Sequence, residues 1–316
     1  MLSIAEARGS VSTGLPSRRP RPRSSRRHSP VTPYLFVLPG LLFVVVFTVF
    51  PIGWLLVRSL FRENTAHPNP SFTGLANYKD IFSDPVFLKS LETTVLYVVV
   101  VAPVSVVIGL VIAQLINRKG IVASVCRTAF FYPIVLPLVS AATIWLFIMT
   151  PDYGLLTHIT SFLHLGSSAP LANPGTALWA IGLVAVWRQA GFYAIFLLAG
   201  LQAVDPDVES AARLDGASSL RVTWHIRIPL LWPTLVFVLT LAMFSAFQTV
   251  DLVYVMTQGG PIDSTRVMLF NIYETAFSYG NTGGASAQSV VFLVILAVIA
   301  AFQIFVVDRM RSEIDA

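Results

Sequence analysis

An arginine lies inside a strongly apolar stretch of this 316-residue chain, in the sequence Trp187-Arg188-Gln189. Because an arginine at the centre of a membrane span costs roughly 3 kcal/mol, we expect Arg188 to face a bundle interior or a water-filled cavity. One interpretation is that Arg188, flanked by Trp187 and Gln189, binds an anion or hydroxyl groups on a substrate path. The alternative is a structural role, in which Arg188 pairs with a carboxylate such as Asp251 or with backbone carbonyls. The sequence leaves both interpretations open.

A second set of polar side chains, Gln248, Asp251 and Tyr254, falls in the next apolar stretch. Positions 248, 251 and 255 share one face of a continuous helix, and Tyr254 is adjacent to that face. Gln248 and Asp251 are therefore predicted to form hydrogen bonds to a polyol or a sugar. The alternative is that they join neighbouring helices, as polar side chains commonly do in membrane bundles.

The sequence lacks the motifs of several enzyme classes. It contains no Gly-x4-Gly-Lys-Ser/Thr loop for nucleotide phosphates, no His-Glu-x-x-His and no Gly-x-Ser-x-Gly. The single cysteine, Cys126, forms neither an internal disulfide nor a zinc site. We therefore predict no catalytic residue, no metal and no cofactor in this chain, and we expect any energy for transport to come from a partner.

The composition indicates a membrane protein. The chain is 55% hydrophobic and 12% charged, with a mean hydropathy of +0.73, whereas soluble domains carry about 25% charged residues. Six apolar stretches each approach or exceed the ~20 residues that a helix needs to cross the hydrocarbon layer. The predicted fold class is thus an all-α membrane protein with six transmembrane helices, at about 33–60, 91–116, 126–149, 176–203, 230–256 and 287–307.

The distribution of basic residues predicts the orientation of these spans. With the N-terminus inside, fifteen of the 21 Lys and Arg residues fall in cytoplasmic segments and four in outside loops, as the positive-inside rule requires. Both termini and residues 205–229 are therefore predicted to be cytoplasmic. Residues 1–31 hold seven arginines and are predicted to be a disordered basic arm, followed by one six-span domain at 32–316. The arm is either a solvated topogenic tail or a contact with anionic lipid head groups.

The cytoplasmic segment Asp205–Pro229, which we call the elbow, carries signals for two short helices joined by a tight turn. Asp205 can cap the first helix, and Pro206 suits its first position, where a missing N–H costs nothing. Asp215 and Gly216 end that helix, because glycine accepts the left-handed backbone found at helix ends. A second helical run is predicted at 217–228, with Pro229 opening the next apolar stretch.

The elbow resembles the E-A-A…D-G-A…I-x-L-P loop of permease subunits in binding-protein-dependent ABC importers. Residues 209–212, 215–217 and 226–229 carry the match, with Ser210 and Ile228 in place of alanine and leucine. In that family the loop docks into a groove on a cytoplasmic ATPase. The resemblance therefore implies a set of ATPase-coupling residues, namely Glu209, Ala211, Ala212, Asp215, Gly216, Ala217, Ile226 and Pro229.

Stretches elsewhere in the chain extend the resemblance to the carbohydrate-type branch of these permeases. Two of them lie in predicted outside loops, at 74–78 (GLANY) and 257–265 (TQGGPIDST). Residues 151–158, 187–189 and 287–291 look most similar to the A subunits of glycerol-3-phosphate permeases. The resemblance thus implies import of glycerol 3-phosphate or a glycerophosphodiester, with a sugar or oligosaccharide as the alternative.

The resemblance also implies a fold, a location and partners. It implies the type I ABC importer permease fold in a bacterial inner membrane, with a lipid surround and no nucleic acid. The partners would be a second homologous permease subunit, an extracytoplasmic solute-binding protein and two ATPase subunits that bind ATP and Mg. An ion-coupled secondary transporter is the alternative of another class, and it needs membrane carboxylates in two inverted halves. Asp251 is the carboxylate we expect to be buried, so this alternative is weak.

Overall fold

The computed structural model describes residues 32–65, 67–118, 120–163 and 169–314. The predicted disordered arm, residues 1–31, lies outside the described residues. In chain order the elements are α1 (Thr32–Val44), α2 (Phe50–Arg58), β1 (Phe61–Asn64), β2 (His67–Phe72), α3 (Ala76–Ser83), α4 (Pro85–Ile116), α5 (Ile121–Val135), α6 (Leu138–Met149), α7 (Leu155–Phe162), α8 (Ala177–Ala203), α9 (Pro206–Leu214), α10 (Ser219–Val222), α11 (Ile228–Leu230), α12 (Trp232–Phe247), α13 (Val250–Met256), α14 (Met268–Tyr273) and α15 (Thr282–Ile314). Three π-helical segments adjoin them, at Val45–Val49, Thr223–Arg227 and Glu274–Ser278.

Several helices are long and apolar enough to cross a membrane. Four qualify by themselves: Phe36–Arg58, Pro85–Ile116, Ala177–Ala203 and Thr282–Phe305. Two more pairs qualify only together, because Ile121–Val135 and Leu138–Met149 are bent by 97° and Ser219–Leu230 and Trp232–Phe247 by 72°. The described residues thus contain four candidate spans, or up to six if each bent pair is one span.

The chain divides into two compact units, residues 1–51 and 52–316. In the first unit, α1 continues through the π-helical segment into the start of α2. The second unit is built around the contact between α4 and α8. Ile181 and Leu197 of α8 are fully buried, as is Tyr97 of α4. A Cβ on Gly109 would lie 3.0 Å from the carbonyl oxygen of Ala190, so this glycine allows the close helix approach on which packing in lipid depends.

A second close approach joins α5 to α8. Gly191 lies directly against the backbone carbonyl of Phe130, and a side chain at position 191 would collide with it. Glycine is therefore required here for space and not for backbone freedom. The contact holds the end of α5 beside the stretch of α8 that carries Arg188.

The third predicted span, 126–149, is interrupted. Leu136 has an extended backbone (φ −64°, ψ 137°) and Pro137 follows with φ −53° and ψ 130°. Proline has no N–H to continue the helix, and it disfavours the helical conformation in the residue before it. In an unbroken helix the carbonyl of Ile134 would accept from the N–H of residue 138, so the 97° bend leaves this carbonyl without its usual partner.

The fifth predicted span, 230–256, is interrupted twice. Pro229 does not open it, because Pro229 lies within α11 and the bend follows at Leu231. Pro233 has no N–H to bond back to the carbonyl of Pro229, which explains why the helix bends there. The second interruption is at Gln248 and Thr249, where Thr249 (φ −76°, ψ 60°) separates α12 from α13.

The predicted helical architecture is confirmed, and the described residues add one element that was not predicted, the hairpin of β1 and β2. The strands are antiparallel, with Phe61 opposite Phe72 and Asn64 opposite His67. The prolines of β2, at positions 68 and 70, are incompatible with a helix interior but tolerated in an edge strand. The hairpin leads into α3 and then α4, which begins at Pro85, six residues before the predicted start.

Candidate functional site

The first arm of the elbow is α9, and local signals define its beginning. The Asp205 carboxylate accepts a hydrogen bond from the backbone N–H of Asp207 at 2.9 Å, and Pro206 follows as the first helical residue. Asp207 and Glu209 lie in the first turn, where negative charge is favoured by the helix dipole. These features confirm the predicted start of this helix.

The turn of the elbow is a Schellman motif centred on Gly216. Gly216 has φ +82°; its N–H bonds to the carbonyl of Arg213 at 3.1 Å, while the N–H of Ala217 bonds to that of Ala212 at 3.0 Å. This pairing satisfies carbonyls that a helix end leaves free. Asp215 precedes the turn and is exposed, so its carboxylate is available to another chain.

The second arm is less regular than the predicted single helix. The Ser218 hydroxyl caps α10 by accepting from the N–H of Arg221 at 3.4 Å, and the backbone then passes through the π-helical segment Thr223–Arg227 into α11. Ile226 is half-buried and Pro229 is exposed. The coupling residues implied by the family resemblance thus occupy both arms and the turn between them.

An ion pair braces the two arms. Arg227 donates from Nε to one carboxylate oxygen of Glu209 at 2.6 Å and from Nη2 to the other at 2.7 Å. The two side chains are 19% and 20% exposed, and Arg213 lies 3.9 Å from the same carboxylate. The hydrogen bonds from Arg227, opposed by partial burial, lower the pKa of Glu209 from its ordinary value. The carboxylate of Glu209 therefore joins the two arms of the elbow within this chain.

The three most exposed large apolar side chains of the elbow were not selected from the sequence. Leu214 is 89% exposed, Leu220 74% and Trp224 66%. They lie outside the most apolar helices, and apolar surface exposed outside the bilayer core commonly marks a docking surface. The sequence does indicate this surface, because each of these apolar residues has polar neighbours in a segment that lies between two apolar stretches.

Arg188 reaches the break between α5 and α6. Its Nη2 lies 3.5 Å from the carbonyl oxygen of Ile134, the outer limit of a hydrogen bond. Its Nε is buried without a hydrogen-bond partner among the described residues. No direct ion pair joins Arg188 to Asp251 in the described part of the chain. Arg188 thus retains hydrogen-bonding capacity that its surroundings do not use.

The neighbours of Arg188 have partners on adjacent helices or turns. The hydroxyl of Tyr193 and the side-chain carbonyl of Gln189 form a hydrogen bond. The Trp187 ring packs edge-on against Trp145 of α6, with centroids 5.5 Å apart. Trp187 is partly exposed, at 38%, so it is available both to this packing and to a ligand or partner.

The three candidates around α13 are exposed in the single chain. Gln248, Asp251 and Tyr254 each present their side chain at the surface, so the expectation that Asp251 is buried is wrong. Gln248 lies at the break before α13 and does not share a helix with Asp251, because Thr249 leaves the helical conformation. Tyr254 packs edge-on against Tyr273 of α14, with centroids 5.4 Å apart.

A polar network after α13 was also missed from the sequence. Arg266 is 11% exposed, bonds to the Asp263 carboxylate at 2.7 Å, and contacts the carboxylate of Glu274. Buried Asn271 donates to Gln288 of α15 at 3.2 Å. This network fixes the 257–267 loop against the residues that follow it. Asp263 is three positions from Arg266, but Glu274 is eight away and Gln288 is 17 from Asn271, so a local pattern does not reveal the whole network.

Comparisons with known proteins agree with this architecture. Residues 105–312 match the family described as the binding-protein-dependent transport system inner membrane component. The chain is 32% identical over 280 residues to the sn-glycerol-3-phosphate transport system permease protein UgpA of Agrobacterium fabrum, covering 88% of this chain and 95% of that protein. It is 31% identical over 277 residues to the probable ABC transporter permease protein YurN of Bacillus subtilis, covering 86% and 94% respectively.

The fold is similar to that of a solved importer. A bacterial ABC transporter involved in the import of the acidic polysaccharide alginate superimposes with a TM-score of 0.75 at 19% identity, covering 88% of this chain and 95% of that one. At this identity the likeness concerns the fold alone. The family match over residues 105–312 and the relatives at more than 30% identity establish that the chain belongs to the inner membrane components of binding-protein-dependent transport systems, as a permease subunit of an ABC importer.

Proposed function

We propose that this subunit forms half of a translocation pathway and that its elbow couples the pathway to ATP hydrolysis by partner ATPases, which bind the ATP and Mg. Ile121–Val135 with Leu138–Met149 would count as one span, and Trp232–Phe247 would enter the membrane after the elbow, giving six spans with both termini and the elbow in the cytoplasm. The observation that carries the proposal is the elbow itself. Its Gly216 turn and its Glu209–Arg227 ion pair fix its shape, and its apolar side chains lie uncovered.

The exposed side chains would serve as docking anchors for the ATPase. Burying a large apolar side chain contributes about 1.5–3 kcal/mol, and aromatic anchors commonly dominate such interfaces. Leu214 and Trp224 would enter the partner's groove, while the small Ala211, Ala212 and Ala217 would permit close approach. A rigid elbow can transmit a displacement of the ATPase, whereas a flexible one would absorb it.

Docking can be tested by removing the anchors. The double variant Leu214→Ser, Trp224→Ser should lose ATPase co-purification by at least tenfold and lose solute uptake in reconstituted vesicles. The matched control is Ile262→Ser, because Ile262 is 88% exposed but lies outside the elbow. Normal uptake and normal ATPase assembly in the double variant would exclude the elbow as the docking site.

The cytoplasmic position of the elbow has its own test. In a Cys126→Ser background, Ser218→Cys should react with a membrane-impermeant thiol reagent in opened vesicles but not in intact cells. Reaction in intact cells would place the elbow on the opposite side and would overturn the coupling role. The arm of residues 1–31 can be labelled in the same way.

A second permease subunit would complete the pathway, and a solute-binding protein would deliver the ligand from outside. Gln248, Asp251 and Tyr254 are exposed in the single chain, as expected for residues that face a mate or a shared cavity. Polar side chains directed at acyl chains would be costly. Trp187, Arg188 and Gln189 would line the same pathway near the break between α5 and α6.

For the substrate, we propose glycerol 3-phosphate or a glycerophosphodiester. The support comes from the relatives named as glycerol-3-phosphate permeases, which this chain matches over nearly their whole length. Arg188, with its buried Nε lacking a partner, would suit a phosphate group. This proposal requires a positive charge in the pathway to bind the phosphate group.

A sugar or oligosaccharide is the second candidate. The exposed carboxylate of Asp251 would repel a phosphate but accept hydrogen bonds from sugar hydroxyls, and Tyr254 and Trp187 offer partly exposed rings. Uptake by wild type and Arg188→Gln distinguishes the two candidates. A phosphate substrate predicts at least a tenfold loss of glycerol-3-phosphate uptake in the variant, whereas a neutral sugar predicts sugar uptake in wild type with little dependence on Arg188.

A further inference from the structure

A small polar cavity lies where α4 ends against the elbow. It has a volume of about 260 Å³, large enough for one phosphate group with its bound water. Three arginines line it, Arg118 after α4 and Arg213 and Arg227 from the two arms of the elbow. Gln114, Asn117 and Ser219 contribute neutral hydrogen-bonding groups.

The charge of this cavity is not balanced by its own lining, which includes no carboxylate. Glu209 neutralises one of the three arginines, because its carboxylate is held by both Nε and Nη2 of Arg227. Arg213 lies 3.9 Å from that same carboxylate and is 59% exposed. Arg118 forms no ion pair with any described residue. The lining therefore carries an excess of about two positive charges.

A fourth arginine forms hydrogen bonds with the carbonyl groups that would otherwise repel an anion in the cavity. The C-terminal carbonyls of a helix carry partial negative charge, and α4 ends at the cavity. Arg127 donates from Nη2 to the carbonyl oxygens of Ile116 at 3.1 Å and of Arg118 at 3.0 Å. The helix end that borders the cavity is thus already capped by a cation.

The position of the cavity along the membrane is set by α4. Ile116 is the last residue of the candidate span Pro85–Ile116, which contains an 18-residue window of mean hydropathy 2.9, and Asn117 and Arg118 of the cavity follow it directly. Lining groups immediately beyond an apolar span lie at the depth of lipid head groups. Basic pockets at this depth on the cytoplasmic side are suited to the phosphates of anionic lipids.

We propose that this cavity binds a phosphate group, contributed by an anionic lipid head group or by free phosphate. Arg118 and Arg213 would provide the charge, and the amides of Gln114 and Asn117 with the Ser219 hydroxyl would complete the contacts. Because Arg213 and Arg227 belong to the elbow and Arg118 follows α4, a bound phosphate would join the elbow to the transmembrane bundle. The site does not depend on the transported solute or on docking of an ATPase.

The test uses the full-length chain, purified with its accompanying subunits, in nanodiscs. One arm compares nanodiscs of phosphatidylcholine alone with nanodiscs that also contain phosphatidylglycerol, and measures retained phosphatidylglycerol by native mass spectrometry. The other arm titrates inorganic phosphate into the phosphatidylcholine nanodiscs and measures the thermal midpoint. Each arginine should contribute roughly fivefold in affinity, so Arg118→Gln with Arg213→Gln should weaken binding about 25-fold.

Two control variants define the outcome. Arg221→Gln removes an exposed arginine of the elbow that does not line the cavity and should bind within twofold of wild type. Arg118→Lys with Arg213→Lys keeps the charge and should retain most of the binding. Loss in the glutamine double variant in the lipid arm identifies a head group, and loss in the phosphate arm identifies free phosphate.

Other results would overturn the proposal. These are the absence of wild-type binding in both arms, equal binding by wild type and the glutamine double variant, or an equal loss in Arg221→Gln, which would indicate non-specific attraction. Loss of ATPase assembly in the glutamine double variant, with phosphate and lipid binding intact, would instead assign the arginines to carboxylates of that partner. Failure of the coupling proposal, seen with the Leu214 and Trp224 variants, would leave the phosphate result unchanged.

Discussion

The ion pair between Glu209 and Arg227 should determine how rigid the elbow is. Replacing Glu209 with Gln keeps the size of the side chain but removes its charge, leaving Arg227 with at most one neutral hydrogen-bond acceptor. The two arms would then be joined mainly by the Gly216 turn. We therefore expect the arms to separate more often in this variant, without unfolding of α4 and α8.

The geometry bounds the size of the effect. Hydrogen bonds to charged groups contribute about 1.5–3 kcal/mol each, and this pair has two, at 2.6 and 2.7 Å. Both side chains keep about one-fifth of their surface exposed, so solvent screening reduces the contribution toward the values of surface pairs. A loss of about 1–2 kcal/mol follows, which corresponds to roughly a 5- to 30-fold increase in local opening.

Hydrogen exchange of the elbow amides measures this opening. The N–H groups of Gly216 and Ala217 are bonded across the turn and should exchange about 5- to 30-fold faster in Glu209→Gln, whereas core amides of α8 should not change. Arg221→Gln is the matched control for loss of an elbow charge. The Arg227→Gln variant should show a similar effect, and the double variant should cost little more than either single one. Unchanged exchange in Glu209→Gln, or fully additive effects in the double variant, would refute the bracing role.

The same pair predicts a dependence on pH. The pKa of Glu209 is lowered by its hydrogen bonds from Arg227, so its contribution is fully present above the ordinary glutamate value of about 4.3. It is lost as pH falls through the lower pKa of the folded state. Elbow protection relative to the core should therefore be constant near neutral pH and decline below about pH 4.3, and this decline should be absent in Glu209→Gln.

Three further substitutions test other parts of the structure. Gly216→Ala should destabilise the elbow by about 1–2 kcal/mol because of its positive φ, whereas Gly216→Asn should cost less; elbow hydrogen exchange compares them. Gly191→Ala should lower the stability of the purified chain by about 1–3 kcal/mol by overpacking, while Gly53→Ala, with open space around it, should not; thermal denaturation reports both. Arg266→Met should destabilise the 257–267 loop by about 3 kcal/mol, since it leaves the largely buried carboxylate of Glu274 unpaired, and limited proteolysis should then cut that loop faster.

Local rules were sufficient to predict the first arm and the turn of the elbow. Asp205, Pro206 and Gly216 each act on backbone within three residues of themselves, so their effect is readable from the sequence. The break near Pro137 has a similar local cause, although its 97° angle depends on packing. The assignment of the family relied on the same short range, because the quoted motif lies within one loop.

Features that depend on distant partners could not be predicted in this way. Glu209 and Arg227 are separated by 18 positions, and the π-helical segment between them shifts the phase of the second arm. The break at Gln248 and Thr249 has no proline or glycine to mark it. The exposure of Asp251 depends on which face of α13 packs against other helices. Helical periodicity placed Gln248 and Asp251 on one face of a continuous helix, and the break at Thr249 makes that placement wrong.

The break near Pro137, before α6, and the break at Gln248 and Thr249, before α13, support a common location for the pathway. The helices that follow them, α6 and α13, pack against each other, and α13 also contacts α8. Non-helical backbone at membrane depth is tolerated only where protein or a water-filled cavity satisfies its polar groups. Arg188 approaches the carbonyl of Ile134 at one break, and the exposed Gln248 forms the other.

The exposed surface of α4 differs in composition from the surface beside the second break. Its exposed residues include Val99, Val107 and Leu115, all apolar and suited to acyl chains. The exposed side chains beside the second break, Gln248 and Asp251, are an amide and a carboxylate, for which contact with hydrocarbon would be costly. This cost supports the proposal that they face a mate subunit or water. Polar groups and non-helical backbone occur together near the α6–α13 contact, which we therefore propose as the part of the pathway that this chain lines.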